Sequence, residues 1–369
     1  MPCPPVVAVP PAVASVDLIS LHRHAEVLEL APRVLRPLID EVVPDPFVTR
    51  LSAEADGHGD LWMCGTTNED DATFTLSRSS DNGRTFHPAF DATGRRLAVF
   101  PEGQRPAWIC NQAPDRWAAE IHAVERSLLC LYTARHRDGD LRVGAAIARN
   151  IAGPWNDLGP ILQAPYGVID ATATHASGDW LLIYKRDDNS VGKPTPILTR
   201  PFRLRDDRLE LYGEEHEIMT SGPEDGGLVE GPFVIQDNER TYMMVSSDYF
   251  GDDRYKTWIT TVDDLQRGYV ASRKLLLSSA SPCLRGEWVG PGHVSAVRER
   301  EGLYSLYFHA LPAGAKPLSF ERRFEKGTEQ RKPLRVTLSF RDALGVICAP
   351  YIVEDRYSEH IDIVANAAA

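Results

Sequence analysis

Five segments of this chain begin alike, and that repetition limits its architecture more than any other feature. Around PDPFV (44–48), RWAAEIHAV (116–124), GVIDATAT (167–174), LVEGPFVI (228–235) and GPGHVSAV (290–297), a short apolar lead meets a polar residue and then runs on as a strand. Each segment is followed some ten to fifteen residues later by a strong strand ending in Tyr, Cys or His, as in LLCLYTAR, WLLIYKRD, TYMMVSSDYF and LYSLYFHAL. These runs are short, rich in β-branched and aromatic residues, and bounded by Gly, Asp, Asn and Pro, which is the pattern of strands and turns. The one helical pattern, AEVLELAPRVLRPLI, is broken by Pro32. An all-β fold follows. A two-sheet sandwich gives no reason for five similar starts, whereas five units of about fifty to seventy residues, none able to bury both faces alone, predict a five-bladed β-propeller. The expected layout is a partly irregular extension over 1–35 and a single propeller over 36–369, its ring closed by the N-terminal segment pairing with the last blade.

In a propeller the first strand of each blade lines the central channel. Polar side chains at those starts meet although they lie far apart in the chain. Asp45, Glu120, His122, Asp170, Glu230 and His293 occupy such positions. Carboxyl groups facing one partly dry channel cannot all ionise freely, so crowding separates their pKa values into acid and base roles.

The order PDPFV, RWAAEIHAV, VIDATATHASGDWLLIYKRD, VEGPFVI and GPGHVSAV resembles glycoside hydrolase family 43, as do LYSLYFHAL and LRVTLSFRDALGVICAP near the end. The likeness spans about residues 40–350. It implies an inverting glycosidase for small α-L-arabinofuranosides or β-D-xylosides. Asp45 would be the general base, Glu230 the general acid and Asp170 the carboxylate that orients the acid and tunes its pKa. In such enzymes acid and base stand about 6.5–9.5 Å apart to admit a water. The likeness also implies that His293 supports a water or a hydrated metal, often calcium, although no cofactor is required. Trp108 and Trp117 are candidate walls for a sugar ring, and Glu120, His122 and Arg335 candidate pocket contacts. The strand ATATHASGDW departs from the acidic hairpin common in that family.

Other features bound the reading. A net charge of −12 disfavours nucleic acid and anionic membranes as partners and suits a small neutral or cationic molecule. The start, MPCPPVVAVPPAVASVDL, lacks a basic n-region and is interrupted by prolines. The six cysteines are scattered without a CxxC pair, which reads as free thiols rather than a zinc site. Together these give the expectation of a cytoplasmic protein without a membrane span.

Ser79, Asp81, Gly83, Thr85 and Phe86 in SSDNGRTF fit an Asp-box, a turn device of sialidase-like propellers. No arginine cluster or tyrosine nucleophile can be assigned to accompany it. The run FERRFEKGTEQRKPLR (320–335) reads as a solvated loop of the last blade, with a lid over the channel mouth as the sharper alternative. Neither G-x-S-x-G nor a phosphate-binding glycine motif is present. A second functional reading is a propeller recruited to proton-driven cyclisation, dehydration or rearrangement of a specialised metabolite, for which the channel would be apolar and aromatic.

Overall fold

The computed structural model describes residues 35–67, 72–112, 115–237, 240–266, 273–320, 325, 327–341 and 347–353. Contacts divide the chain into Met1–Arg33 and Val34–Ala369, and the second unit is the subject here. Most of the N-terminal helical pattern therefore lies outside the described residues.

Five antiparallel sheets form the five-bladed propeller. Blade one contains Phe47–Arg50, Leu61–Cys64, Ser77–Ser79 and His87–Pro88, with a side ribbon of Thr73–Thr75 and Ala98–Phe100. Blade two contains Arg116–Val124, Ser127–Arg135, Leu141–Ala148 and Asn156–Leu162. Blade three runs Val168–Ala176, Asp179–Arg186, Pro196–Arg205 and Arg208–Leu211, and His216–Thr220 also pairs with its third strand. Blade four is Val229–Asp237, Arg240–Ser247, Lys256–Thr261 and Lys274–Leu277. Blade five is Trp288–Arg300, Leu303–Pro312, Lys332–Arg341 and Ile347–Val353.

The strong apolar runs of the sequence are the second strands. They read as continuous rather than alternating because both faces are covered by neighbouring blades. In blade three, Leu182 and Tyr184 join the cluster shared with blade two, while Leu181 and Ile183 join the cluster shared with blade four. One apolar cluster lies at each of the five blade interfaces, including the seam between blades five and one, where Val48, Leu61 and Met63 meet Val297 and Tyr307. The core is thus a ring of five wedges, which leaves the axis free for polar groups.

Among the described residues no strand is shared across the seam. Leu38 N–H donates to Pro333 O at 3.0 Å, and Phe86 N–H donates to Leu38 O at 2.8 Å, so a single extended segment spans blades five and one. The expected pairing of the N-terminal segment with the last blade falls largely on residues 1–34, outside the described residues. The Asp-box lies beside the Leu38 bridge. Asp81 accepts the Arg84 and Thr85 amides and the Ser79 and Thr85 hydroxyls, and Phe86 packs edge-on against Tyr307. It is a turn device, as its sequence indicates.

Candidate active site

Each innermost strand opens with one residue in the left-handed region: Asp45 (φ 53°), Ala118 (45°), Asp170 (54°), Gly231 (54°) and His293 (53°). In blades two to five these residues fall at register shifts. A bulge there turns the strand start and re-aims its side chain towards the axis. Four of the five are not glycine, and holding such a conformation costs on the order of 1–3 kcal/mol each. The glycine has a specific reason: a Cβ at Gly231 would sit 3.1 Å from His293 Nδ1.

The amides of these bent residues are satisfied by side chains, largely from the adjoining blade. Ala118 N–H donates to Thr66 Oγ1, Asp170 N–H to Thr133 Oγ1, His293 N–H to Ser246 Oγ and Asp45 N–H to His309 Nδ1. Within their own blades, Thr133, Ser246 and His309 pair with Trp117, Glu230 and Gly292, the residues just before the bends. Thr66 likewise donates its amide to Pro44 O. In blade three the residue at this place, opposite Ile169, is Lys185. An ammonium has no acceptor lone pair. The Gly231 amide instead donates to Asp170 Oδ2 at 3.0 Å, and Lys185 Nζ turns to Glu230 Oε2 at 3.2 Å and Asp187 Oδ1 at 3.1 Å.

Around Asp45, Oδ1 lies 3.2 Å from Arg331 Nη1, 3.2 Å from His309 Nδ1 and 3.4 Å from His293 Nδ1. Oδ2 accepts the Thr66 hydroxyl at 2.5 Å. Burial alone would raise its pKa, but the charges of His293 and Arg331 overcome that and hold it well below the usual carboxylate range. Asp45 is therefore ionised.

His309 is itself pushed down to about 4 by burial and by Arg331, so its ring is neutral and Nδ1 is free to accept the Asp45 amide. His293 moves the other way. Burial lowers it, yet Asp45, Asp170, Glu230 and Glu120 together raise it above the ordinary histidine value.

Asp170 is buried and pushed up to about 7, first by loss of solvent, against the pull of His293 and Lys185 and with the push of Glu230 and Asp45. Near neutrality it therefore exchanges a proton. Glu230 accepts the Tyr255 hydroxyl at 2.8 Å on Oε1. Tyr255 is fully buried, lies parallel to the His309 ring at 5.5 Å, and is held as the phenol by burial and by the Glu230 charge. Lys185 is buried as well, and its carboxylate neighbours keep it an ammonium against that burial.

The structure thus brings Asp45, Asp170, Glu230 and His293 to one place. Trp117 stands half-buried beside Ala118 at the same level. Glu120 and His122 lie deeper on that strand and bond each other at 2.8 Å. The His122 ring packs on Phe47 and lines a cavity of about 310 Å³ further along the channel, away from the three carboxylates. Trp108 is not at the site; it stacks between Tyr132 and His136 in blade-two packing. Arg335 is not there either, since its guanidinium is held by Ser305 and Glu299. The pocket arginine is Arg331, from the charged run expected to be solvated. It is buried, bonded to Glu329 at 2.7 Å and stacked over Phe250 at 4.6 Å.

Thr66, Lys185, Tyr255, His309 and Arg331 were not singled out in the sequence. Lys185 and His309 left a trace, as polar residues ending apolar second strands. Arg331 left none.

A calcium ion at His293 would want several oxygen ligands. Among the described residues no group of three or more His, Cys, Asp or Glu side chains is placed to share a metal. The Asp45 oxygens already face Thr66, Arg331 and two histidines. The donor set does not fit such an ion, and no step below uses one. Cys64, Cys110, Cys130 and Cys283 are free thiols. Among the described residues no helix is long and apolar enough to cross a membrane.

A propeller whose axis gathers carboxyl groups of opposite protonation has the makings of a hydrolase. The chain belongs to glycosyl hydrolases family 43, whose model matches residues 34–323. It is a glycoside hydrolase, and that membership lends no support to the non-hydrolytic alternative. Solved structures share the fold. A thermostable family-43 glycoside hydrolase superposes with a TM-score of 0.68 at 20% identity, covering 87% of this chain and 96% of that one. An alpha-L-arabinofuranosidase from Lactobacillus brevis gives 0.64 at 16% identity, with coverages of 85% and 95%. An endo-1,4-beta-xylanase from Bacteroides thetaiotaomicron VPI-5482 gives 0.58 at 17%, with 86% and 96%. No curated protein sequence matches this chain.

Proposed function

We propose that this protein hydrolyses short α-L-arabinofuranosides or β-D-xylosides with inversion at the anomeric carbon. The observation that carries the reading is the convergence of Asp45, Asp170 and Glu230 on one axis, with Asp45 against Arg331 and His293 and Glu230 against Tyr255 and Lys185. Asp45, held as a carboxylate by Arg331 and His293, takes a proton from the attacking water. Across the pocket, Glu230 gives a proton to the departing glycosidic oxygen, with Asp170 beside it able to hold a proton near neutrality. Trp117 is the one remaining candidate for an apolar wall under the sugar. The printed names of structural neighbours, an arabinofuranosidase and a xylanase among them, are consistent with a pentose substrate.

The test is turnover of a panel of nitrophenyl glycosides, arabinofuranoside and xyloside included, by wild type and by Glu230→Ala. Activity on a pentoside that falls by about 10³-fold in the variant supports the reading. A variant matching wild type on the best substrate overturns it.

A further inference from the structure

The five-fold comparison of strand openings isolates one departure. In four blades the residue opposite the bend supplies an acceptor to an adjoining backbone amide: Thr66, Thr133, Ser246 and His309. The fifth, Lys185, sits on the same strand face as Leu181 and Ile183, pointing at blade four, and can only donate. Two rearrangements follow from that change of chemistry. The Gly231 amide takes Asp170 Oδ2 as its acceptor, and the buried ammonium pairs with Glu230 and Asp187.

We propose that Lys185 is a positioning residue that holds Glu230 as the carboxylate of the resting site and so leaves the exchangeable acid proton on Asp170. Glu230 then receives hydrogen bonds from Lys185 Nζ and Tyr255 Oη, a donor set suited to the ionised form. Asp170 has one oxygen tied to the Gly231 amide, and its other oxygen carries the proton. The further groups bearing on this pair are His293 and Asp45, from blades five and one.

This rests on the proposed hydrolysis for its role in turnover. There, Asp170 passes its proton to Glu230, which passes it to the leaving oxygen and ends as the carboxylate it began as. Asp45 gains the proton of the attacking water. Exchange with solvent afterwards reprotonates Asp170 and deprotonates Asp45, so no proton is made or lost.

Infrared difference spectroscopy of the free protein at pH 5.5 tests the resting state without any substrate. One protonated-carboxyl band is expected, absent in Asp170→Asn and retained in Glu230→Gln. Lys185→Thr, which restores the hydroxyl found in blades one and two, should add a second band that disappears in the Lys185→Thr/Glu230→Gln double variant. Lys185→Arg, which keeps the charge, should show one band. In kinetics, Lys185→Thr should move the alkaline limb of kcat/KM upward by about one pH unit, because the ammonium that pulls on the Asp170 proton is gone. A wild-type band lost in Glu230→Gln, or no second band in a cooperatively melting Lys185→Thr, overturns the proposal. Should Lys185→Thr fail to fold, the wild-type, Asp170→Asn and Glu230→Gln spectra still decide where the proton rests. Absence of glycosidase activity would sink the hydrolase reading while leaving these spectra as they are.

Discussion

Asp45 and Asp170 are the same residue in the same place. Each opens the innermost strand of its blade, and each has a left-handed backbone whose amide is capped by a side chain of another blade. Yet one is driven well below the usual carboxylate range and the other up to about 7. Burial acts upward on both and is the largest influence on each. His293 pulls both down; the difference is that the Arg331 guanidinium adds to that pull at Asp45, whereas at Asp170 the pull of His293 and Lys185 is opposed by Glu230 and Asp45. Position in the fold sets where a carboxyl points, and the adjoining blade sets its charge.

The sharpest way to break this contrast is to remove the ionised side. Asp45→Asn should lower kcat/KM on the best pentoside by about 10³-fold with the fold retained, read by steady-state kinetics beside a thermal melt. Substituting the cation comes next. Arg331→Met should raise the Asp45 pKa and shift the acid limb of kcat/KM to higher pH by about one unit or more, so that loss is greatest in acid. The contrast also has a stability signature. A depressed folded pKa, as at Asp45, contributes stability that is present above the unfolded value and lost as pH falls through the folded one. Asp170 has the opposite sign, because its folded pKa is raised. Its contribution is complete below about 3.9, the unfolded value, and disappears as pH climbs through about 7. Asp170→Asn should therefore melt about 5 °C above wild type at pH 8 and close to it at pH 4, by calorimetry across pH. The smallest effect belongs to Arg335→Ala. Tied to Ser305 and Glu299 rather than to the pocket, it should change activity by less than about two-fold, and a large loss would mean that Arg335 reaches substrate.

The three carboxylates and His293 were legible because polar residues at the start of an innermost strand have few other reasons to be there. The blades were legible from the apolar second strands, whose two covered faces leave an unbroken signal. What the sequence hid is the second layer. Lys185 closes WLLIYKRD, where a charge reads as the solvated end of a strand, and only the register opposite Ile169 turns it inward. Arg331 sits in a run of mixed charge that reads as solvated, and its burial goes with a contact to Asp45, 286 residues away, that no local pattern encodes. Trp108 failed for the converse reason. Its indole fits a sugar platform in composition, but the bend of blade two folds it onto Tyr132.

The seam between blades five and one carries a consequence for how the protein is made. Asp45 lies near the beginning of the propeller, while the His309 ring and the Arg331 guanidinium that set its charge belong to the last blade, 264 and 286 residues later. Among the described residues Leu38 bridges that seam by one backbone bond on each side. Contacts so distant along the chain form late, after local hairpins and their neighbours. During synthesis the Asp45 carboxyl therefore exists long before the guanidinium that ionises it, and the two meet only when the circle is complete. On the proposed mechanism, turnover is a report that the chain has finished.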